Sequence, residues 1–259
     1  MVAAAGDISC SGAPCDGQRR TSAEILGLRP DAVLALGDLQ YQSGALSDFR
    51  ASYDPTWGRF KRITRPAPGN HEYETPNAGG YFGYFGKRAH PPWGYYSFNL
   101  GDWHIVALNA TCPPVDCGRE RRWLKHDLRH DGHLCQLAYW HQPRWSSGPH
   151  GSDPLYSGFW QTLYRAGADV VLNGHDHDYE RFTKLDPSGH FSGRGIREFV
   201  VGTGGISHYN FGPPVQGSQV RIQDTFGVLR LALSASSYGW KFIDTKGKTL
   251  DSGTNSCHR

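Results

Sequence analysis

The run DAVLALGDLQY (Asp31–Tyr41) places five aliphatic residues in a row, then Gly37–Asp38, then a tyrosine three residues beyond the aspartate. An uninterrupted apolar run of this length, closed by turn residues, reads as a buried strand. The same pattern recurs in VAAAG (2–6) before Asp7, ITRPAPG (63–69) before Asn70, LCQLAYW (134–140) before His141 and ADVVLNG (168–174) before His175. Helical patterns fall between these runs, around 19–28, 120–131 and 154–167, the last stopping at Gly167 as a C-cap would. Strand alternating with helix predicts a layered α/β fold.

The aromatic, glycine-rich region 73–98 reads as loop leading into a pair of strands, YYSFNL and DWHIVALN. The later runs REFVVGTGG, FGVLRLALS and YGWKFID read as antiparallel strands with short connections. No repeat, linker or low-complexity tract divides the 259 residues, a length that suits one large α/β domain, so 1–259 is expected to be a single domain.

A net charge of +3 and a pI near 8.5 are mild, and nothing argues for nucleic acid as a partner. The densest basic stretch, RERRWLKHDLR (119–129), has mixed charges, and Trp123, Leu124 and Leu128 fit one face of a solvated helix. No segment is long and apolar enough to span a membrane. The start MVAAAGD lacks the charged and apolar regions of a signal peptide. Six cysteines without a CxxC pair fit three disulfides of an exported protein, so a mature, extracytoplasmic form carrying an added Met is expected. Sequence leaves the connectivity open. Pairing of Cys10 with Cys15, Cys112 with Cys117 and Cys135 with Cys257 is the expectation, and reduced buried thiols are the alternative.

Function in open α/β sheets collects beyond the carboxyl ends of strands. Here those ends carry Asp7, Asp38, Asn70, His141 and the pair His175/His177. Oxygen and imidazole donors together suit iron, zinc or manganese rather than calcium, and one shared aspartate suits a two-metal hydrolase. A lone GD or GNHE is more often an ordinary turn. In GHDHDYE (174–180), two alternating histidines would point the same way from an extended chain. The joint occurrence of all five strand ends carries the reading.

GDLQY, GNHE, the lone histidine of YWHQPRW and GHDH resemble the calcineurin-type metallophosphoesterases, from Asp7 to about Gly205. Many members of that superfamily have Asp-x-His in the first motif, whereas this chain reads Asp7–Ile8–Ser9. The purple acid phosphatases share that absence and supply the tyrosine of GDxxY instead. The resemblance therefore implies a four-layer α/β/β/α sandwich with mixed sheets and a dinuclear centre. Fe(III) would be held by Asp7, Tyr41, His177 and the bridging Asp38; iron, zinc or manganese would be held by Asp38, Asn70, His141 and His175. An ordinary phenol has a pKa near 10, so a strongly Lewis-acidic ion is needed to hold Tyr41 deprotonated; the alternative is a tyrosine hydrogen-bonded beside the site.

The resemblance implies hydrolysis of phosphate monoesters by a metal-bound hydroxide, with His71 and His150 as candidate proton donors. Arg144 and Tyr209 are candidate substrate contacts, and Tyr73 and Trp145 candidate rim residues. For Arg181 the readings are a phosphate contact and an ion-pair partner of Asp178 or Glu180, the second preferred. The run VVGTGG (200–205) lacks a P-loop lysine and reads as close packing under the site. The expected partner is a small-molecule phosphate ester; oligomeric state stays open. Phosphodiesters, including cyclic nucleotides or phospholipid headgroups, are the alternative substrates for the same ligands. A non-catalytic secreted binding protein would have lost ligands, and here every expected position is filled.

Overall fold

Aliphatic runs become strands here because their side chains fill both faces of an extended chain between packed layers. The computed structural model describes residues 1–12 and 14–258. Val2–Ala5 (β1), Ala32–Leu36 (β2) and Thr64–Ala67 (β3) run parallel, side by side. Tyr96–Leu100 (β4) pairs antiparallel with Trp103–Ala107 (β5), and Cys135–Tyr139 (β6) and Val170–Asn173 (β7) extend β5 in parallel. Tyr179–Leu185 (β8) is antiparallel to Ile196–Val201 (β9), which lies parallel to β7, and Ser218–Ile222 (β10) adds an edge beside β8. Gly227–Ser234 (β11), Ser237–Asp244 (β12) and Thr249–Ser256 (β13) form an antiparallel meander joined to β1.

Two mixed sheets result, ordered β13-β12-β11-β1-β2-β3 and β10-β8-β9-β7-β6-β5-β4. Side chains alternate between the faces of the second sheet. Ile105, Leu137 and Val170 join a core with Val33, Leu229 and the helix residue Ile25, whereas Val106, Ala138 and Val171 face the opposite way. There they meet Leu124 and Leu128 of helix Cys117–His130, and Phe159, Trp160 and Leu163 of helix Ser157–Ala166. The architecture is the expected helix–sheet–sheet–helix sandwich.

Region 73–98 departs from its expectation as loop. It holds the helix Gly79–Phe85, whose Tyr81, Tyr84 and Phe85 pack with Phe49 and Tyr53. Glycines among aromatics give a weak helix signal, and tertiary burial overrides it. Strands β8, β10 and β13 also escape the apolar pattern. β10 and β13 are sheet edges, and β8 is next to one, so polar residues interrupt their runs. The three disulfides pair as expected, and Cys135–Cys257 ties the C-terminal tail to β6.

Glu120, buried on helix Cys117–His130, reaches back to accept the Asn109 N–H at 2.7 Å and the Ala110 N–H at 3.1 Å. Burial outweighs those bonds and pushes its carboxyl up to about 7. The raised value means that folding favours the protonated acid, so this group's contribution is complete below its unfolded pKa and is lost as pH rises through about 7. Urea unfolding at about pH 5 and about pH 8 should therefore show Glu120→Gln gaining on the wild type by up to ~3 kcal/mol at the higher pH. A difference independent of pH would refute the buried acid.

Candidate metal centre

Asp7, Asp38, His141 and His175 each stand two residues past a strand end, those of β1, β2, β6 and β7, and Asn70 stands three past β3. The loops after β1 and β2 zip together: Asp7 N donates to Gly37 O, Ile8 N to Asp38 O, and Tyr41 N to Ser9 O at 2.8 Å. That pairing sets Asp7, Asp38 and Tyr41 side by side. Asp7, Asp38 and His175 have φ of 59°, 47° and 72°, a left-handed backbone rare outside glycine. It turns each side chain off its strand and into the cluster. Gly37 and Gly174 precede two of these residues for lack of space: a Cβ would lie 2.6 Å from His141 Cβ and 2.5 Å from Asp7 Oδ2, respectively.

The Tyr41 hydroxyl lies 2.8 Å from Asp7 Oδ1, 3.1 Å from Asp38 Oδ2 and 3.0 Å from His177 Nε2, with all four residues buried. Burial, then the Asp38 and Asp7 carboxylates, push this phenol well above its ordinary pKa. Among protein groups alone it keeps its proton. Only a cation of high charge set between these four groups would reverse that balance.

Beside it, Asp38, His141 and His175 each offer a ligand atom, all within 4.8 Å of one another. His141 Nδ1 is fixed by Leu36 O at 2.9 Å, while Nε2 faces Asp38 Oδ2 at 2.9 Å and His175 Nδ1 at 3.2 Å. Burial works against a charge on His141, but Asp38 and Asp7 outweigh it and raise the imidazole to about 9. Burial and the neighbours His141 and His150 lower His175 to about 4, so its ring stays neutral. A proton on His141 Nε2 thus occupies the position from which a cation would displace it, as metal binding to such sites requires. Asp38 is buried, yet His141 and His71 together hold it well below the usual carboxylate range. The donors fit two cations that share Asp38.

The other expected residues surround this cluster. Asn70 starts the short turn His71–Glu74, and its Oδ1 accepts from Gln142 Nε2 at 3.3 Å, next to His141. His71 packs on the Tyr41 ring at 4.2 Å, donates its N–H to Asp38 Oδ1 at 2.9 Å, and holds Nε2 3.8 Å from Asp38 Oδ2. His150 lies over His175, ring centroids 4.1 Å apart, with Nδ1 2.8 Å from Asp176 Oδ1. That bond raises the His150 pKa. Tyr209 stacks on His177 at 3.9 Å.

The Arg144 guanidinium stacks 3.7 Å over the Trp145 ring, and among the described residues no hydrogen bond or ion pair joins it to the cluster. Arg181 pairs with Asp251 at 2.7 Å, not with Asp178 or Glu180. Arg181 shares a face of β8 with Tyr179, two residues before it, and both side chains bond Asp251 of β13. The 174–178 segment is a turn rather than extended chain, so His175 and His177 converge through the left-handed His175 backbone and not through strand alternation. Gly202 and Gly204 do pack closely beneath it, against Asp176 and Gly6. Tyr73 accepts from Asn109 Nδ2 at 2.6 Å, behind the His71 turn.

Residues that the sequence did not single out hold the cluster in place. Glu72 is fully buried and accepts N–H groups from Asp38, Leu39, Gln40 and Gly69, at 3.0, 2.9, 3.2 and 2.7 Å. Ser207 Oγ lies 2.6 Å from His177 Nδ1, and Asp176 grips both N and Nδ1 of His150. The only sequence signal was position: Glu72 within GNHE, Asp176 between two histidines.

A family model described as Calcineurin-like phosphoesterase matches residues 1–179. Purple acid phosphatase 15 of Arabidopsis thaliana is 29% identical over 231 residues, 73% of this chain and 43% of its own. The chain spans less than half the length of the curated relatives it matches. A purple acid phosphatase from yellow lupin seeds superposes with a TM-score of 0.77 at 21% identity, over 99% of this chain and 53% of the other. GAP50, the anchor in the inner membrane complex of Plasmodium, gives 0.76 at 16% identity, over 100% and 89%. These two likenesses are of fold.

Proposed function

Because the chain belongs to the calcineurin-like phosphoesterase family, we propose that it hydrolyses phosphate monoesters at a dinuclear centre of purple acid phosphatase type. The observation that carries this is the Tyr41 hydroxyl, within hydrogen-bond reach of Asp7, Asp38 and His177. Asp7, Tyr41, His177 and Asp38 would hold Fe(III), the ion acidic enough to keep a phenolate beside two carboxylates. Asp38, Asn70, His141 and His175 would hold iron, zinc or manganese. Bound there, the pair supplies Lewis acidity and a water acidic enough to ionise near neutrality.

The chain's own groups do the rest. His150, held through Nδ1 by Asp176 with its ring beside His175, keeps Nε2 as the nitrogen that would donate a proton to the departing alkoxide. His71, close to Asp38, is the second donor candidate. Tyr209 walls the site by stacking on His177. Arg144, three residues past His141, is the candidate phosphate contact, with its guanidinium stacked on Trp145. Three disulfides support an oxidising, extracytoplasmic setting, and no helix among the described residues is long and apolar enough to cross a membrane.

Elemental analysis of protein purified without chelators tests the reading. About two metals per chain, one of them iron, are expected, with a violet colour that Tyr41→Phe abolishes. Two metals without iron or colour would remove the tyrosinate role, and a chain that takes up none would end the proposal. Comparing rates on an aryl phosphate monoester and its diester decides the substrate class.

A further inference from the structure

We propose that His104, Asp131 and His133 form a separate site for a zinc-type divalent cation. It lies at the far end of the second sheet from the dinuclear cluster. His104 is the second residue of β5, and Asp131 and His133 lie in the turn that enters β6, whereas His141 stands beyond the exit of β6. Asp131 Oδ1 is 2.6 Å from His133 Nδ1 and 3.6 Å from His104 Nδ1, and the three ligand atoms all lie within 4.8 Å of one another. Asn99 Oδ1, 2.8 Å from His104 Nδ1, offers a fourth donor atom.

The surroundings are arranged as they are around imidazoles that bind metal. A ligating histidine commonly gives its other ring N–H to a carboxylate, and His104 Nε2 lies 2.7 Å from Asp127 Oδ2. Asp127 is in turn held by Ser97 Oγ at 2.7 Å, and Asp131 Oδ2 by Gln136 Nε2 at 2.8 Å. Both ring nitrogens of His104 thus face oxygen acceptors. A ring that donates through Nε2 to Asp127 keeps the Nδ1 lone pair for a cation set beside Asn99 and Asp131. The side chains of His104 and Asp131 are 8% and 4% exposed, while His133 is 28% exposed and leaves one side open to solvent. Two imidazoles, one carboxylate and an open position suit zinc better than calcium or magnesium.

Such an ion would pin β4, β5 and the end of helix Cys117–His130 where β6 begins. The test loads the full chain with Zn²⁺, removes excess by desalting, and counts zinc in wild type, His133→Ala and the near-isosteric Asp131→Asn. Both variants are expected to hold about one zinc fewer per chain, with phosphate-ester hydrolysis unchanged. Added Zn²⁺ should raise the thermal midpoint of the wild type more than that of either variant. Equal zinc in all three proteins, or an equal thermal response, would overturn the site. The same comparison in an Asp38→Ala background separates this inference from the dinuclear one, because the His133-dependent zinc should persist there.

Discussion

An Asp38→Ala chain is expected to purify with less than one full metal complement and to hydrolyse phosphate esters at least about 10³-fold more slowly. Asp38 Oδ2 touches both halves of the cluster, His141 Nε2 at 2.9 Å and the Tyr41 hydroxyl at 3.1 Å, while Oδ1 accepts the His71 N–H. Asp7 Oδ1 also meets the Tyr41 hydroxyl, at 2.8 Å, but stays 4.0 Å from His141 Nε2. Loss of Asp38 removes the shared negative charge that makes two neighbouring cations tolerable. Asp38→Asn is the informative companion, since an amide oxygen still accepts from His71 and preserves the loop. If the Asp38→Asn protein folds normally but loses metal and rate together, charge at this position is the cause. Activity within about tenfold of wild type would refute the bridging role.

Glu72→Ala should be the most destabilising single change near the site, by at least ~3 kcal/mol. Four backbone N–H groups from two loops end on this one carboxylate, and solvent does not reach so buried a position. Each donor left without an acceptor costs ~1–3 kcal/mol, though the four will not add. The thermal midpoint should fall by at least ~6 °C for a domain of this size. Glu72→Gln keeps one acceptor oxygen but turns an amide N–H toward donors, so it should fall between the two. Metal uptake should weaken in both variants, because Asp38 and Asn70 belong to the loops that Glu72 joins. A Glu72→Ala protein that melts with the wild type would show that the loops hold themselves.

The five strand ends were legible because buried parallel strands write themselves as largely apolar runs, and the polar residue that closes each run stands out against it. Tyr41 was singled out by the resemblance of GDLQY to the phosphatase motif, since spacing alone left its role open. The supports were not legible. Glu72, Glu120 and Asp176 act through contacts that the fold alone creates, and a buried glutamate looks in sequence like any surface glutamate. Arg181 went astray for the same reason: Asp251 is 70 residues away in the chain, and only the β8–β13 proximity brings it within an ion pair. His104, Asp131 and His133 were passed over because one lies inside a strand and the others follow a charged helix, with no spacing that betrays their meeting.

Left-handed backbone at Asp7, Asp38 and His175 has a bearing on descent. Glycine and asparagine adopt that conformation at little cost, and branched or bulky residues do not. A lineage released from hydrolysis would therefore drift toward Gly or Asn at these three positions, and would be barred from Val or Ile there. The sandwich would survive such drift, since its core lies between the sheets. Among sequences that share this fold, those three sites should thus act as a ledger of ancestry, in which acid and imidazole mark a chain still under selection for chemistry.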